Sequence, residues 1–320
     1  MAGKVKLGIS LFSLTPLFVT RQWDLERCLK EVHEMGYEGI EVVAAQMVPN
    51  YPYPSDEWIQ DFKGLLKKYE LTLVTWSAYI DMGIRADRDL TEEEIIQYTR
   101  NDMIYAKKAG AQMVRTQHAI SPKIYKRMLP FCKEIGVKLV IEMHSPHHPE
   151  VDVWKEYLEI MRDPASEGYF GVVPDFGIFQ FTPHKIAIDS YLEGGCRKEA
   201  LDKIIMEHES GRSLEEIINA GDYTEYEKGV IADIKHKFSA PAKVGDLAKL
   251  LSCTPYIHGK FHYLEKNCED STIPYGELME SIKNSGFEGY IACEYEGHRF
   301  DIDPKEQINR FAIMIDKMLK

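Results

Sequence analysis

Short apolar runs of strand length alternate with stretches of helical period from one end of the chain to the other. The runs are Leu7-Gly-Ile-Ser-Leu-Phe12, Gly39-Ile-Glu-Val-Val-Ala44, Leu71-Thr-Leu-Val-Thr-Trp76, Ala111–His118, Lys138–Ser145, Phe170–Asp175, Tyr256–Leu264 and Gly289–Glu296. Between them, apolar positions recur at helical intervals behind recognisable start signals. Asp24 caps a helix through Leu25, Cys28, Leu29 and Val32, ending near Gly36. Pro54-Ser55-Asp56 opens another through Trp58 and Phe62. Thr91-Glu-Glu-Glu is a capping box for a long helix reaching Ala109, and Ser121-Pro122 places a cap before a proline. Further helices are predicted over Val151–Arg162, Tyr275–Lys283 and from Pro304 onward.

Eight strand–helix units of this kind predict an α/β fold, a (β/α)8 barrel, with its active site at the C-terminal ends of the strands. A doubly wound sheet is the alternative, but no glycine-rich phosphate loop follows the first strand. The repeat breaks once, with about 80 residues between the sixth and seventh strands (Phe176 to Pro255). Ser213-Leu-Glu-Glu and Thr224-Glu-Tyr-Glu start short helices there, and Val244–Leu251 fits the barrel's own sixth helix. The chain is therefore expected to be a single barrel domain, residues 1–320, with a mostly helical insertion at approximately 180–243. So long an excursion at the active-site face suits a lid or a subunit contact, and Phe179, Phe181 and Tyr191 suggest that it covers something.

The strand ends carry an anomaly. Lys138-Leu-Val-Ile runs straight into Glu142, where a core strand would continue with another aliphatic residue. The sixth strand ends on Asp175, the seventh carries His258 and the eighth Glu294. A carboxylate at the end of an apolar strand must be paired, hydrogen-bonded or bound to a cation. Four such groups at matching depths predict a divalent metal centre with ligands Glu142, Asp175, His258 and Glu294. Two glutamates, an aspartate and an imidazole suit Mn²⁺, Mg²⁺ or Co²⁺, with Zn²⁺ also accommodated. Strand alternation puts His144 on the face of Glu142, and Lys260 and His262 on the face of His258. On that ground alone either His258 or His262 could supply the imidazole. Trp76, Gln117 and His118 end the third and fourth strands and are expected to line the pocket.

Composition narrows the partners. With 39 basic against 51 acidic residues the net charge is −12, which disfavours nucleic acid or an anionic membrane. No apolar run reaches membrane-spanning length. The first residues faintly resemble a secretion signal but read better as a first strand. The six cysteines show no CxxC spacing, as expected for reduced thiols in a cytoplasmic protein.

Ile-Glu-x-His in the fifth strand, Pro-Asp in the sixth, His-x-Lys-Phe in the seventh and Cys-Glu-Tyr-Glu-Gly in the eighth resemble the xylose-isomerase-like barrel superfamily of the AP endonuclease 2 type. Within it, Glu-Met-His-Ser, Pro-Asp-Phe-Gly-Ile-Phe, the long insertion and His-Gly-Lys-Phe-His are most similar to the α subunits of bacterial C-glycoside deglycosidases. The resemblance implies a lyase that breaks the carbon–carbon bond between a 3-oxo sugar and an aromatic aglycone. It also implies Mn²⁺, a small β subunit in a hetero-oligomer, His258 as the imidazole ligand, and His144 as acid or base. Sugar isomerases and epimerases share the ligand set, but those acting on ketoses tend to carry a histidine where this chain has Ile178. The branch acting on abasic DNA uses extra histidine ligands, of which only His118 has a counterpart here. A non-catalytic sugar-binding or scaffold subunit is the remaining alternative.

Overall fold

The computed structural model describes residues 5–117, 120–299 and 301–320. Its eight strands among those residues are β1 (Lys6–Ser10), β2 (Gly39–Val43), β3 (Thr72–Ser77), β4 (Met113–Thr116), β5 (Lys138–Met143), β6 (Phe170–Pro174), β7 (Tyr256–Phe261) and β8 (Tyr290–Tyr295). All pair in parallel, in the order β6-β5-β4-β3-β2-β1-β8-β7. The one seam without a full ladder lies between β6 and β7, where a single bridge joins Asp175 to His258 and brings the sheet round into a nearly closed barrel. The expected (β/α)8 barrel is therefore the fold.

The expected caps form as written. The side chains of Asp24, Ser55 and Ser121 each accept a backbone N–H of the following turn, and Thr91, Ser213 and Thr224 each make a reciprocal box with the glutamate three residues on. The helices bury one face against the outside of the barrel, and a continuous apolar core fills that interface from Ile9 to Ile315. Val244–Leu250 takes the place of the sixth barrel helix. Between β6 and that helix run Lys185–Glu193, Lys198–Glu209, Leu214–Asn219 and Glu225–Lys237, the first two unmarked by any signal read from the sequence. These four pack on a small core of their own around Leu201, Ile204, Ile217, Ile231 and Ile234. The insertion's aromatics are used internally: Phe181 stacks on His208, and Tyr191 donates to Asp233 at 2.7 Å.

Inside the barrel the strands are layered. Val74, Met113, Val140, Val173, Tyr256 and Ala292 form an apolar plug. Two residues further along, on the same strand faces, stand Arg115 after Met113, Glu142 after Val140, Asp175 after Val173, His258 after Tyr256 and Glu294 after Ala292. Period-two alternation thus lifts every one of these polar groups to a single level above a dry floor. Close approach at the bottom requires Gly39, where a Cβ would lie 2.5 Å from the Tyr290 ring and 2.6 Å from Val74.

β3 breaks the layering. Its register with β2 slips between Ile40 and Glu41, which pair with Leu73 and Thr75, so one residue is passed over. The slip reverses the faces that follow. Trp76 therefore points outward and donates its Nε1–H to Asp102 of the helix Glu92–Ala109 at 3.1 Å, while Ser77 meets Arg115 inside. The expectation that Trp76 lines the pocket is corrected: it is fully buried in the barrel–helix interface. No helix among the described residues is long and apolar enough to cross a membrane. All six cysteines are free.

Candidate metal centre

Glu142 of β5, His258 of β7 and Glu294 of β8 each present a ligand atom within 4.8 Å of the other two, and all three side chains are buried. His258 Nδ1 lies 2.8 Å from Glu142 Oε1 and 3.2 Å from Glu294 Oε2. Its Nε2 faces the other way, 2.9 Å from Oε2 of Glu41. Glu41 accepts in addition from Ser10 Oγ at 2.9 Å, from Arg115 at 3.3 Å and from the Tyr256 hydroxyl. Arg115 also donates to Glu142 Oε2 at 2.5 Å, so one guanidinium ties both glutamates together.

The electrostatics follow from burial set against these neighbours. Burial opposes the imidazolium of His258, but Glu294, Glu41 and Glu142 outweigh it and hold the ring protonated well above the usual histidine range. Burial likewise opposes charge on Glu41 and Glu142. Arg115 and His258 prevail at both, taking Glu41 down to about 2 and Glu142 well below the ordinary carboxylate value. Glu294 goes the other way, to about 7, because burial and the like charges of Glu142 and Asp175 outweigh the help from His258.

The residues present fit a divalent cation on one specific observation. Glu294 Oε2 is buried without a hydrogen bond, since the Nδ1 hydrogen of His258 is given to Glu142. That oxygen faces the His258 ring at 3.2 Å without receiving a hydrogen from it, so a buried acceptor site stays open to a cation. With Nε2–H held by Glu41, Nδ1 is the atom that would coordinate once a cation displaces its proton, the usual arrangement in which a carboxylate behind a histidine fixes its tautomer.

Asp175, the fourth expected ligand, is not within that group. Its backbone bridges to His258, but the carboxylate turns aside to the Gly177 N–H at 2.6 Å and to Lys260 Nζ at 3.3 Å. Gly177 is needed for this turn, because a Cβ there would lie 2.8 Å from the Lys260 stem. Lys260 supplies the positive charge that the sequence reading assigned to the shared cation. Burial opposes its ammonium, but Asp175, Glu296 and Glu294 raise its pKa.

A cavity of about 350 Å³ opens beside the cluster, lined by His144, Lys260, His262 and Glu296 from the barrel. His144 donates Nδ1–H to its neighbour's carbonyl, Ser145 O, at 2.7 Å. That leaves the Nε2 lone pair for Lys260 Nζ at 2.7 Å, with Asp175 at 3.5 Å. His262 sits apart from the carboxylates of the cluster and stacks on His184. Of the remaining expected pocket residues, Gln117 is half-buried just beyond β4 and does not line this cavity. His118 falls outside the described residues.

The sequence reading passed over Glu41 and Arg115, although the same signal marks them. Each is a charged residue inside an apolar strand, Gly39-Ile-Glu-Val-Val and Met113-Val-Arg-Thr, as Glu142 is.

Comparisons with known proteins bear on the fold and the family. The chain is 27% identical over 327 residues to the 3'-dehydrocarminate deglycosidase alpha subunit of a Microbacterium species, covering 95% of this chain and 92% of the relative. It is 25% identical to the C-glycoside deglycosidase alpha subunit of Microbacterium trichothecenolyticum, over 94% of this chain and 88% of that one. Among solved structures it resembles a sugar phosphate isomerase/epimerase from Parabacteroides distasonis, with a TM-score of 0.61, 11% identity and coverage of 99% and 100% of the two chains. An L-ribulose 3-epimerase shares the fold at a TM-score of 0.59 and 11% identity, over 99% and 95% of the two chains. Residues 29–316 match the profile of the xylose isomerase-like TIM barrels, and the chain belongs to that family.

Proposed function

We propose that this chain is the catalytic subunit of a metal-dependent lyase that cleaves the C–C bond of a 3-oxo-C-glycoside and releases the aromatic aglycone. The observation that carries the reading is the convergence of Glu142, His258 and Glu294 around an unsatisfied carboxylate oxygen beside a cavity lined by His144, whose Nδ1–H is held by Ser145 O. The names of the relatives at 25–27% identity supply the substrate class. Glu142, His258 and Glu294 would hold the ion, with Asp175 joining them on release from Lys260. A divalent cation, Mn²⁺ by preference, supplies Lewis acidity toward adjacent oxygens of a 3-oxo sugar.

The chain's own groups do the rest. A ketone at C3 acidifies the proton on C2. His144 Nε2, kept as an acceptor by the bond from Nδ1–H to Ser145 O, is placed to take a proton. The Lys260 ammonium beside it, anchored by Glu296 at 2.8 Å, offsets negative charge building up on the sugar. Elimination then breaks the bond from C1 to the aromatic carbon, which takes the proton back from His144 as it leaves, while the C3 carbonyl re-forms and a double bond forms between C1 and C2. The relatives are named alpha subunits, which supports a smaller partner chain in a hetero-oligomer.

The test is to incubate the Mn²⁺-reconstituted protein, with any smaller chain that co-purifies, with a 3-oxo-C-glycoside. Release of free aglycone supports the proposal. A rearranged monosaccharide without bond cleavage favours a sugar isomerase or epimerase on the same ligands and ends it. Turnover unchanged by His144→Ala would instead favour a scaffold role.

A further inference from the structure

The cavity next to the cluster has two walls of different origin. One is the barrel, with His144, Lys260, His262 and Glu296; the other is the segment entering and leaving the insertion, with Gly177, Gln180, His184 and Phe238. The two ends of the insertion are tied to each other, Ala240 N–H donating to Gln180 O at 3.0 Å. The insertion meets the barrel where the rings of His184 and His262 lie parallel, 3.8 Å between centroids and 6° between planes. Phe238 closes the corner edge-on to His184, at 5.5 Å and 79°.

The state of His184 follows from its place in the chain. It is the N-cap of the helix Lys185–Glu193, and its Nδ1 accepts the backbone N–H of Ala187 at 3.2 Å. A ring that accepts at Nδ1 carries its proton on Nε2. Among the described residues no acceptor meets that Nε2–H. Burial, assisted by the positive charges of Lys237 and Lys260, moves its pKa down to about 4, so the ring is neutral at pH 7. The corner therefore offers flat, uncharged aromatic surface with one free donor at its edge.

We propose that this corner is the aglycone subsite, and that it selects a planar aromatic ring bearing an acceptor oxygen, a phenol or aryl ketone, which takes the hydrogen bond from His184 Nε2–H. This rests on the reading of the cluster as the centre of a C-glycoside lyase, since the ring enters the subsite attached to the sugar held there. The insertion is on this account a specificity wall. It contributes His184 and Phe238 to a cavity whose other side is the barrel's reacting face, and its own core fixes where they stand. Planar groups gain from aromatic neighbours, and a buried polar donor discriminates against rings that lack its partner.

The experiment uses the full chain with any co-purifying smaller subunit, a hydroxyflavone as the free-ring probe and 3-oxo-glucose as the sugar probe. His184→Asn retains a capping oxygen for Ala187 N–H and removes the ring, so the helix start survives. Calorimetric titration is expected to show hydroxyflavone binding weakened about tenfold or more in His184→Asn, with Mn²⁺ binding at the wild-type affinity. Equal flavone affinity in the two proteins, or no flavone binding by the wild type, overturns the subsite. A second variant, Phe238→Leu, is expected to weaken the same probe by removing the edge-on ring. Exchange of the C2 proton of 3-oxo-glucose, followed by NMR on the wild type alone, tests the underlying lyase reading. Its absence together with a flavone loss in His184→Asn would sink that reading while the aromatic subsite stands.

Discussion

Replacing Glu41 by Gln tests the metal centre from behind, without touching any expected ligand. Four groups point hydrogens at this one buried carboxylate: Ser10 Oγ, Arg115, the Tyr256 hydroxyl and His258 Nε2. A carboxylate accepts all four, whereas an amide has one accepting oxygen and an NH₂ that must face at least one donor. If the NH₂ faces His258, Nε2 becomes the acceptor, and the single proton left on the neutral ring that a metal requires must sit on Nδ1, the atom turned toward Glu142 and Glu294. If it faces Arg115 or Tyr256, a buried donor is left unsatisfied. The first outcome puts a proton on the coordinating nitrogen, and losing a carboxylate behind a metal-binding histidine costs roughly 10–100-fold in affinity. That is about 1.4–2.8 kcal/mol of binding free energy. The metal-free variant should also lose about 1–3 kcal/mol of stability, because Arg115 retains Glu142 at 2.5 Å but gives up one charged partner. Competition of Mn²⁺ against a fluorescent chelator measures the first effect, and urea unfolding in chelator measures the second. Glu41→Gln binding Mn²⁺ within about twofold of wild type would show that Glu41 does not orient His258, and the tautomer argument would fall with it.

Other expected outcomes follow from the same geometry. Saturating Mn²⁺ should raise the thermal midpoint of the wild type, by about 2.7 kcal/mol of stabilisation at a hundredfold excess over Kd, and a melting scan of Glu294→Ala should show no such rise. Arg115→Ala leaves two buried glutamates without their shared cation, and chemical denaturation should register a loss of roughly 3–5 kcal/mol. His144→Gln should lower kcat by about 10²–10⁴-fold while the Mn²⁺ isotherm stays at its wild-type position, since His144 Nδ1 and Nε2 bond to Ser145 and Lys260 rather than to the three clustered ligands. His184, whose pKa falls to about 4 on folding, stabilises the fold fully only above the unfolded histidine value near 6.5, and that contribution is lost as pH drops toward 4. Its share between pH 7 and pH 5 is at most about 2 kcal/mol, so urea midpoints of His184→Asn should fall less steeply over that interval than those of the wild type.

Much of this molecule is written in local pattern. Strand runs, the caps at Asp24, Ser55, Thr91, Ser121, Ser213 and Thr224, and the substitute sixth helix at Val244–Leu250 all depend on side chains within a few residues of the backbone they govern. Glu142, His258 and Glu294 were legible for a related reason: a charge inside an apolar run is conspicuous in one dimension, and alternation fixes which way it points. Arg115 and Glu41 carried the same mark but had no obvious role until the barrel set them against each other. Facing and pairing were decided elsewhere. The outward turn of Trp76 comes from a one-residue slip against β2, a property of two strands in register and of neither alone. The destination of the Asp175 carboxylate depends on Lys260 arriving from β7 across the open seam, together with room at Gly177 for its stem. The stack of His184 on His262 joins the insertion to the barrel, and only closure of the chain in space brings the two rings to 3.8 Å. Charges and caps are properties of residues and their neighbours, whereas which charge meets which is settled by the ring of strands that carries them.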